Sequence, residues 1–366
     1  MTIIYSIIAI VFIVCLAITP IVIKIAKKYN LVDIPKDARR VHNKPMPRVG
    51  GIAIVISMFI GLGIYYIITK NIPSIALNEK FLGFLLGGII IFAMGLIDDI
   101  FNLKARYKFL FQLLAALVVY IFGIRISGIK IPFIYTDIIN FGWLDLPITL
   151  LWIIGITNAI NLIDGLDGLA AGISAISATA LLIIFITTSA SLEAIVITSV
   201  LVGATLGFLP YNFNPAKTFM GDVGSNFLGF TLSTVSIMGF AKGYTLLAII
   251  APILALGVPI FDTLFAMIRR FLKGQPMLKP DGAHIHHRLL KMGLSQRQAV
   301  LLLYTVTSIL CIIAVTIISA DIWKFVLLIL MVICSIAIAL INFQKNKNKK
   351  DEDITISDNF THHDKK

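Results

Sequence analysis

Apolar residues run along this chain in blocks of about 20, each ended by a short polar or glycine-rich interruption. The blocks fall near 2–23, 49–69, 81–97, 107–123, 146–161, 167–187, 192–208, 224–240, 244–268, 298–318 and 324–343. At 1.5 Å of rise per residue, a helix of about 20 residues covers the hydrocarbon core of a bilayer. The pattern predicts an all-α polytopic membrane protein with about 11 transmembrane helices, one integral domain over 1–343 and a polar, disordered tail over 344–366. Pro252 and Pro259 predict kinks in the ninth span. Gly203 and Gly207, four apart, predict close helix packing in the seventh.

The most informative interruption is NAINLIDGLDGLAAG, Asn158–Gly172. Asn158, Asn161, Asp164 and Asp167 recur every third residue, so neighbours in the series share a helix face. Gly165 and Gly168 predict that the regular helix gives way there and frees backbone groups beside the carboxylates. Two acids and two amides at the mouth of an apolar span are costly unless they bind something charged.

Composition agrees with the pattern and excludes a soluble domain. Of the 366 residues 58% are hydrophobic and 14% charged, and mean hydropathy is +0.95. The net charge of +12 invites a nucleic-acid reading, but the arrangement of the basic residues opposes it. The first span has no basic residue before it and Lys24, Lys27 and Lys28 after it, which predicts an uncleaved span with its N-terminus outside. With that orientation 25 of the 31 Lys and Arg face the cytoplasm, the C-terminus included. The basic excess therefore orients the protein and attracts anionic lipid or an anionic substrate rather than nucleic acid. Cys15, Cys311 and Cys334 lie in separate apolar spans and form no disulfide or metal pattern.

Four more features gather on the same predicted cytoplasmic side. Asp98 and Asp99 are adjacent acids at the end of the third span, which calls for a cation, and hard carboxylate oxygens favour Mg²⁺ or Mn²⁺. Arg39, Arg40, His42 and Arg48 in the first inward loop suit phosphate. Asp222, between Gly221 and Gly224, opens a span whose N-terminal N–H groups are available to an anion while the carboxylate holds its metal. His284, His286, His287 and Arg288 form a cationic patch in the longest inward loop; with no cysteine nearby, it does not read as zinc. Asp262 is read either as a buried, partnered acid or as a fourth functional one, and Asp137 and Asp145 in an outer hairpin anchored by Trp143 as surface acids. Together these features describe phosphoryl transfer at the cytoplasmic face, between a phosphorylated substrate from the cytoplasm and a reactant in the lipid.

The stretches GLIDDI, NAINLIDGLDGLAAG, FMGDVGSNFLG and PDGAHIHHRLLKMGLS resemble, in order, the polyprenyl-phosphate N-acetylhexosamine-1-phosphate transferase family, over nearly all of Lys36–Gln298. The resemblance is to its bacterial branch that joins GlcNAc-1-phosphate from UDP-GlcNAc to undecaprenyl phosphate, releasing UMP, at the start of teichoic acid, O-antigen or related glycans. It implies a multi-pass protein of the bacterial plasma membrane, dependent on Mg²⁺, with a homodimer among the allowed assemblies. Asp222 would be a principal metal ligand, with Asp98 and Asp99 assisting at the metal and Asp98 acting either as a base or as the carboxylate that orients the acceptor. Asn158, Asn161, Asp164 and Asp167 would line the nucleotide and metal pocket, and Arg48, His284, His286, His287 and Arg288 would bind the substrate phosphates or sugar. Direct attack by the lipid phosphate is favoured over an aspartyl-phosphate intermediate. The alternatives are the same chemistry on UDP-MurNAc-pentapeptide and an ion-coupled transporter. A transporter expects acids near the bilayer midplane within internal repeats, and this chain has neither.

Overall fold

A computed structural model of the chain describes residues 2–33, 46–70, 78–129, 138–240, 246–274 and 284–319. Contacts divide the chain into two units, Met1–Ser319 and Ala320–Lys366, and the described residues all lie in the first. The eleventh span, the tail, Arg39, Arg40, His42 and Asp137 are outside the described residues.

The first unit is helical: α1 (Thr2–Lys28), α2 (Gly51–Thr69), α3 (Glu79–Phe101), α4 (Ala105–Ile121), α5 (Asp145–Ile163), α6 (Leu169–Thr187), α7 (Leu192–Asn212), α8 (Gly221–Phe240), α9 (Leu246–Ala255), α10 (Gly257–Leu272), α11 (Ile285–Lys291) and α12 (Gln296–Ser319). Among the described residues, seven of these (α1, α2, α3, α5, α6, α7 and α12) are long and apolar enough to cross a membrane. α4, α9 and α10 are shorter. The predicted ninth span is two helices, because regular helix stops between Ala255 and Gly257, just past Pro252.

α8 forms the centre, with α3 and α5 against it on either hand and α2, α6 and α7 completing the surround. From Val223 to Gly239 every residue of α8 is buried. In a bilayer the hydrophobic effect does not draw helices together, so close backbone approach and satisfied polar side chains must. Small residues provide the approach: a Cβ added to Gly95 of α3 would sit 2.5 Å from Val223 Cα, and one added to Gly229 would sit 2.6 Å from Thr157 Cα of α5. Several buried hydroxyls of α8 bond back to their own helix, Thr234 Oγ1 donating to Phe230 O at 2.7 Å. Gly203 and Gly207 fit the packing expectation, lying against the α1 backbone at Ile8 and Phe12.

Two short antiparallel ladders close the ends. β1 (Val32–Asp33) pairs with β2 (Met46–Pro47), and β3 (Gly128–Ile129) pairs with β4 (Ile139–Asn140) in the predicted hairpin, where Trp143 is exposed. Asp145 departs from its reading as a surface acid: it is buried and accepts from Tyr120 Oη at 2.7 Å, with Arg125 3.8 Å away.

Candidate active site

The site is built where the ends of α3, α5 and α8 meet the strand β2. Pro47 O accepts from Phe219 N (2.8 Å) and Thr218 Oγ1 (3.0 Å), while Gly50 N and Gly51 N donate to Phe219 O and Met220 O (2.9 and 2.8 Å). This stitching holds Arg48 over the start of α8. Its Nε lies 3.0 Å from Asp99 Oδ1, and its Nη2 donates to Asp222 Oδ2 at 2.9 Å and its Nη1 to Asn102 Oδ1 at 3.1 Å. Gly221 permits the crowding: its φ is +71°, and a Cβ there would stand 2.2 Å from Arg48 O and 2.5 Å from Asp99 Oδ2.

Asp98 and Asp99 end α3 almost fully buried, at 1% and 8% exposure, and are not a solvated helix terminus. Asp99 accepts from Asp222 N (2.9 Å) and Val223 N (3.0 Å). The first-turn N–H groups of α8, expected to face a substrate anion, are thus taken by the protein's own carboxylate, which the helix dipole favours there. Asp222 Oδ1 accepts from Asn161 Nδ2 at 2.9 Å and from Lys108 Nζ at 3.3 Å, and Lys108 also pairs with Asp98 Oδ2. Three carboxylates from two helices therefore share two cations, Arg48 and Lys108. Burial works against the charge on Arg48, but Asp99 and Asp222 more than offset it and its pKa rises.

Beside this cluster opens a cavity of about 810 Å³, within the range that holds small organic ligands. Arg48, Asn161, Asp164, Asp167, Asp222 and His287 all line it. The helical face shared by the Asn–Asp series ends at Asn161; Asp164 caps α5 and Asp167 lies in the turn before α6. Surrounding protein, then the charges of Asp222, Asp99 and Asp167, push the Asp164 carboxyl up to about 8. Asp167 Oδ2 accepts from Asn214 Nδ2 (3.0 Å) and Ala216 N (3.1 Å), so part of its capacity shapes the loop forming the far wall.

The remaining expected residues are less direct. Asn158 does not line the cavity; its Nδ2 donates to Gln112 Oε1 at 2.8 Å, and Gln112 Nε2 donates to Asn226 Oδ1 at 3.1 Å, an amide cluster beneath Asp222. His284 and His286 are buried behind the wall, and Arg288 lies on the exposed side of α11, outside the lining. Burial, with His287 beside it, lowers His286 to about 4, so its ring is neutral. Asp262 resolves as a partnered acid, bonded to His284 Nδ1 at 3.0 Å.

Sequence reading passed over Lys108, Gln112 and Asn226. Their signal was a cation and an amide at i and i+4 on a span, facing another amide on the next polar span. Among the described residues no three His, Cys, Asp or Glu converge on their own in a group that could hold a metal ion, because Arg48 and Lys108 stand between the acids. The residue types present suit a hard divalent cation: Asp99 and Asp222 share Arg48, Asp98 and Asp222 share Lys108, and no soft ligand stands among them.

Comparison with known proteins places these residues in context. The family model described as glycosyl transferase family 4 matches residues 81–240. A probable undecaprenyl-phosphate N-acetylglucosaminyl 1-phosphate transferase of Bacillus subtilis is 44% identical over 332 residues, covering 89% of this chain and 90% of its own. A decaprenyl-phosphate N-acetylglucosaminephosphotransferase of Mycolicibacterium smegmatis is 35% identical, covering 76% and 73%. A phospho-N-acetylmuramoyl-pentapeptide-transferase of Halalkalibacterium halodurans is 30% identical, covering 83% and 94%.

Proposed function

The chain belongs to glycosyl transferase family 4, and from that premise we propose that it transfers GlcNAc-1-phosphate from UDP-GlcNAc to undecaprenyl phosphate. A phosphate oxygen of the lipid attacks the β-phosphorus of the nucleotide sugar. The bond from that phosphorus to the oxygen bridging it to the α-phosphate breaks, and UMP leaves with the oxygen and the bonding pair. The products are undecaprenyl-pyrophosphoryl-GlcNAc and UMP. A phosphate monoester is largely ionised near neutral pH, its second pKa being about 6, so the attack needs no general base and no aspartyl-phosphate.

The observation that carries this reading is the set of three carboxylates sharing two cations beside one cavity, whose wall Arg48 and Asp222 enter. Asp222, Asp98 and Asp99 are the residues to hold Mg²⁺, or Mn²⁺ in its place. An ion held there would supply positive charge to the reacting phosphates. Arg48 and Lys108, released from part of their pairing with the acids, turn to substrate phosphates. Arg48 suits a bidentate contact and Lys108 a point contact. Asn161 holds Asp222 in place through its 2.9 Å bond. Asp164, Asp167 and His287 frame the donor side of the cavity.

In this reading the site faces the cytoplasm of a bacterial plasma membrane, with about 11 spans, the N-terminus outside and 25 of 31 Lys and Arg inward. The 44% and 35% identity of the Bacillus and Mycolicibacterium relatives, against 30% for the pentapeptide transferase, favours UDP-GlcNAc over UDP-MurNAc-pentapeptide as donor. The test is UMP release by detergent-purified protein given undecaprenyl phosphate, Mg²⁺ and either donor. UMP from UDP-GlcNAc alone, lost with EDTA and reduced at least about 10³-fold by Asp222→Asn, is the expected result. Turnover only with the pentapeptide donor moves the protein to the other branch, and no UMP from either donor removes the transferase assignment.

A further inference from the structure

α10 turns Phe261, Leu264, Phe265, Ile268 and Phe271 outward, yet carries an acid, Asp262, at 4% exposure. A buried carboxylate on such a helix is expensive unless both oxygens are satisfied. Both are, and by the same short segment. Oδ2 lies 3.0 Å from His284 Nδ1, and Oδ1 accepts from Ile285 N at 2.8 Å. Ile285 opens α11, whose first N–H groups have no helical partner. The residue at its own N-cap position, His284, makes no capping bond, so a side chain from another helix does that work.

The geometry continues to the cavity. The His284 and His286 rings are parallel within 2° at 5.9 Å, and His286 and His287 are 4.2 Å apart. His286 is 2% exposed, and a Cβ on Gly165 would fall 2.2 Å from its Nε2. Neither ring nitrogen of His286 has a hydrogen-bond partner, so no polar contact of that ring sets its register. His287, the next residue, lines the cavity with Asp164. Besides its apolar packing through Leu289 and Leu290, α11 is therefore held by a close but non-directional contact on Gly165 and by a directional clamp from Asp262.

We propose that Asp262 is a positioning residue for the donor site: by fixing His284 and the Ile285 N–H it sets the register of α11, and so the place of His287 on the cavity wall. This rests on the transferase reading. The carboxylate accepts, which puts the His284 proton on Nδ1 and leaves Nε2 as the second ring position. An amide at 262 still accepts from Ile285 but presents its NH₂ to Nδ1 and selects the opposite tautomer. An alanine removes both bonds.

The experiment compares wild type, Asp262→Ala, Asp262→Asn, His284→Ala and the Asp262→Ala/His284→Ala double variant, varying each substrate separately in the UMP-release assay. Hydrogen exchange is read on peptides covering 284–292 and 98–112. The expected result for Asp262→Ala is a fall in kcat/KM for UDP-GlcNAc of about 10- to 100-fold, carried by a higher donor KM, with the KM for undecaprenyl phosphate unchanged. Exchange over 284–292 quickens while 98–112 stays as in wild type, and the double variant is no worse than the more impaired single one. Should the alanine variant fail to fold, Asp262→Asn carries the test, with the same donor-specific loss at smaller size. Wild-type donor kinetics in a folded Asp262 variant, or multiplicative losses in the double variant, overturn the proposal. A wild-type protein that releases no UMP defeats the transferase reading instead, and the exchange comparison still reports on the clamp.

Discussion

Gly95→Ala tests whether the backbone contact between α3 and α8 sets the carboxylate cluster. The added methyl would meet Val223 Cα at 2.5 Å, Val223 N at 2.8 Å and Asp222 O at 2.9 Å, all backbone atoms that no side-chain rotation can clear. Non-bonded carbons prefer about 3.5 to 4.0 Å, so the helices must separate locally by roughly 1 Å. Asp98 and Asp99 lie three and four residues further along the same face of α3 and share that displacement. The bonds from Asp222 N and Val223 N to Asp99, now 2.9 and 3.0 Å, would stretch to nearly 4 Å, beyond hydrogen-bonding range. Each bond to a charged group contributes about 1.5–3 kcal/mol, so losing both costs about 3–6 kcal/mol as an upper estimate, because the helices can tilt rather than part. Gly63→Ala is the control: nothing lies within 4 Å of its added Cβ, and the change should be neutral or stabilise by up to about 1 kcal/mol. Melting followed by tryptophan fluorescence in detergent, together with UMP release, reads both effects. Gly95→Ala should melt lower and lose at least about tenfold in turnover, the equivalent of 1.4 kcal/mol, while Gly63→Ala retains both properties. A Gly95→Ala protein with wild-type melting and turnover would refute the argument that this contact positions the acids.

Two further outcomes follow from the same geometry. Asp164 has its folded-state pKa raised to about 8 from an ordinary 3.8, so its contribution to stability is complete below about pH 4 and is lost as pH rises through 8. The melting temperature of metal-free protein should therefore fall across that window more steeply than that of Asp164→Asn, and Mg²⁺ should reduce the difference; parallel curves for the two proteins would remove Asp164 as the cause. Gly165→Ala places a methyl 2.2 Å from His286 Nε2 and must displace that ring, at about 1–3 kcal/mol of overpacking. It should raise the KM for UDP-GlcNAc and leave that for undecaprenyl phosphate alone; an unchanged donor KM would show that the His286 contact does not shape the cavity.

What the chain determined locally could be read without its fold. Length and hydropathy of the apolar blocks specified the helices closely, α2 starting at Gly51 and α6 at Leu169 against expected starts of 49 and 167. Gly165 and Gly168 did mark the end of regular helix, and Gly203 and Gly207 did mark a close helix contact, because each is a property of a residue and its immediate neighbours. The acids of the site were recognisable because a carboxylate in an apolar setting is costly wherever the chain goes next. Their partners were not. Arg48 and Asp222 are 174 positions apart and Lys108 and Asp222 are 114 apart, and hydropathy periodicity reports that a face is buried without reporting against what. Only the packing of α3 on α8 decided that Asp99 would occupy the N–H groups expected to await an anion. Only the break between α9 and α10, and the approach of α11, decided that Asp262 would bond to His284. Pairing of charges and caps depends on distances between elements, which are settled by how small residues let helices approach, and that is a property of the assembled bundle.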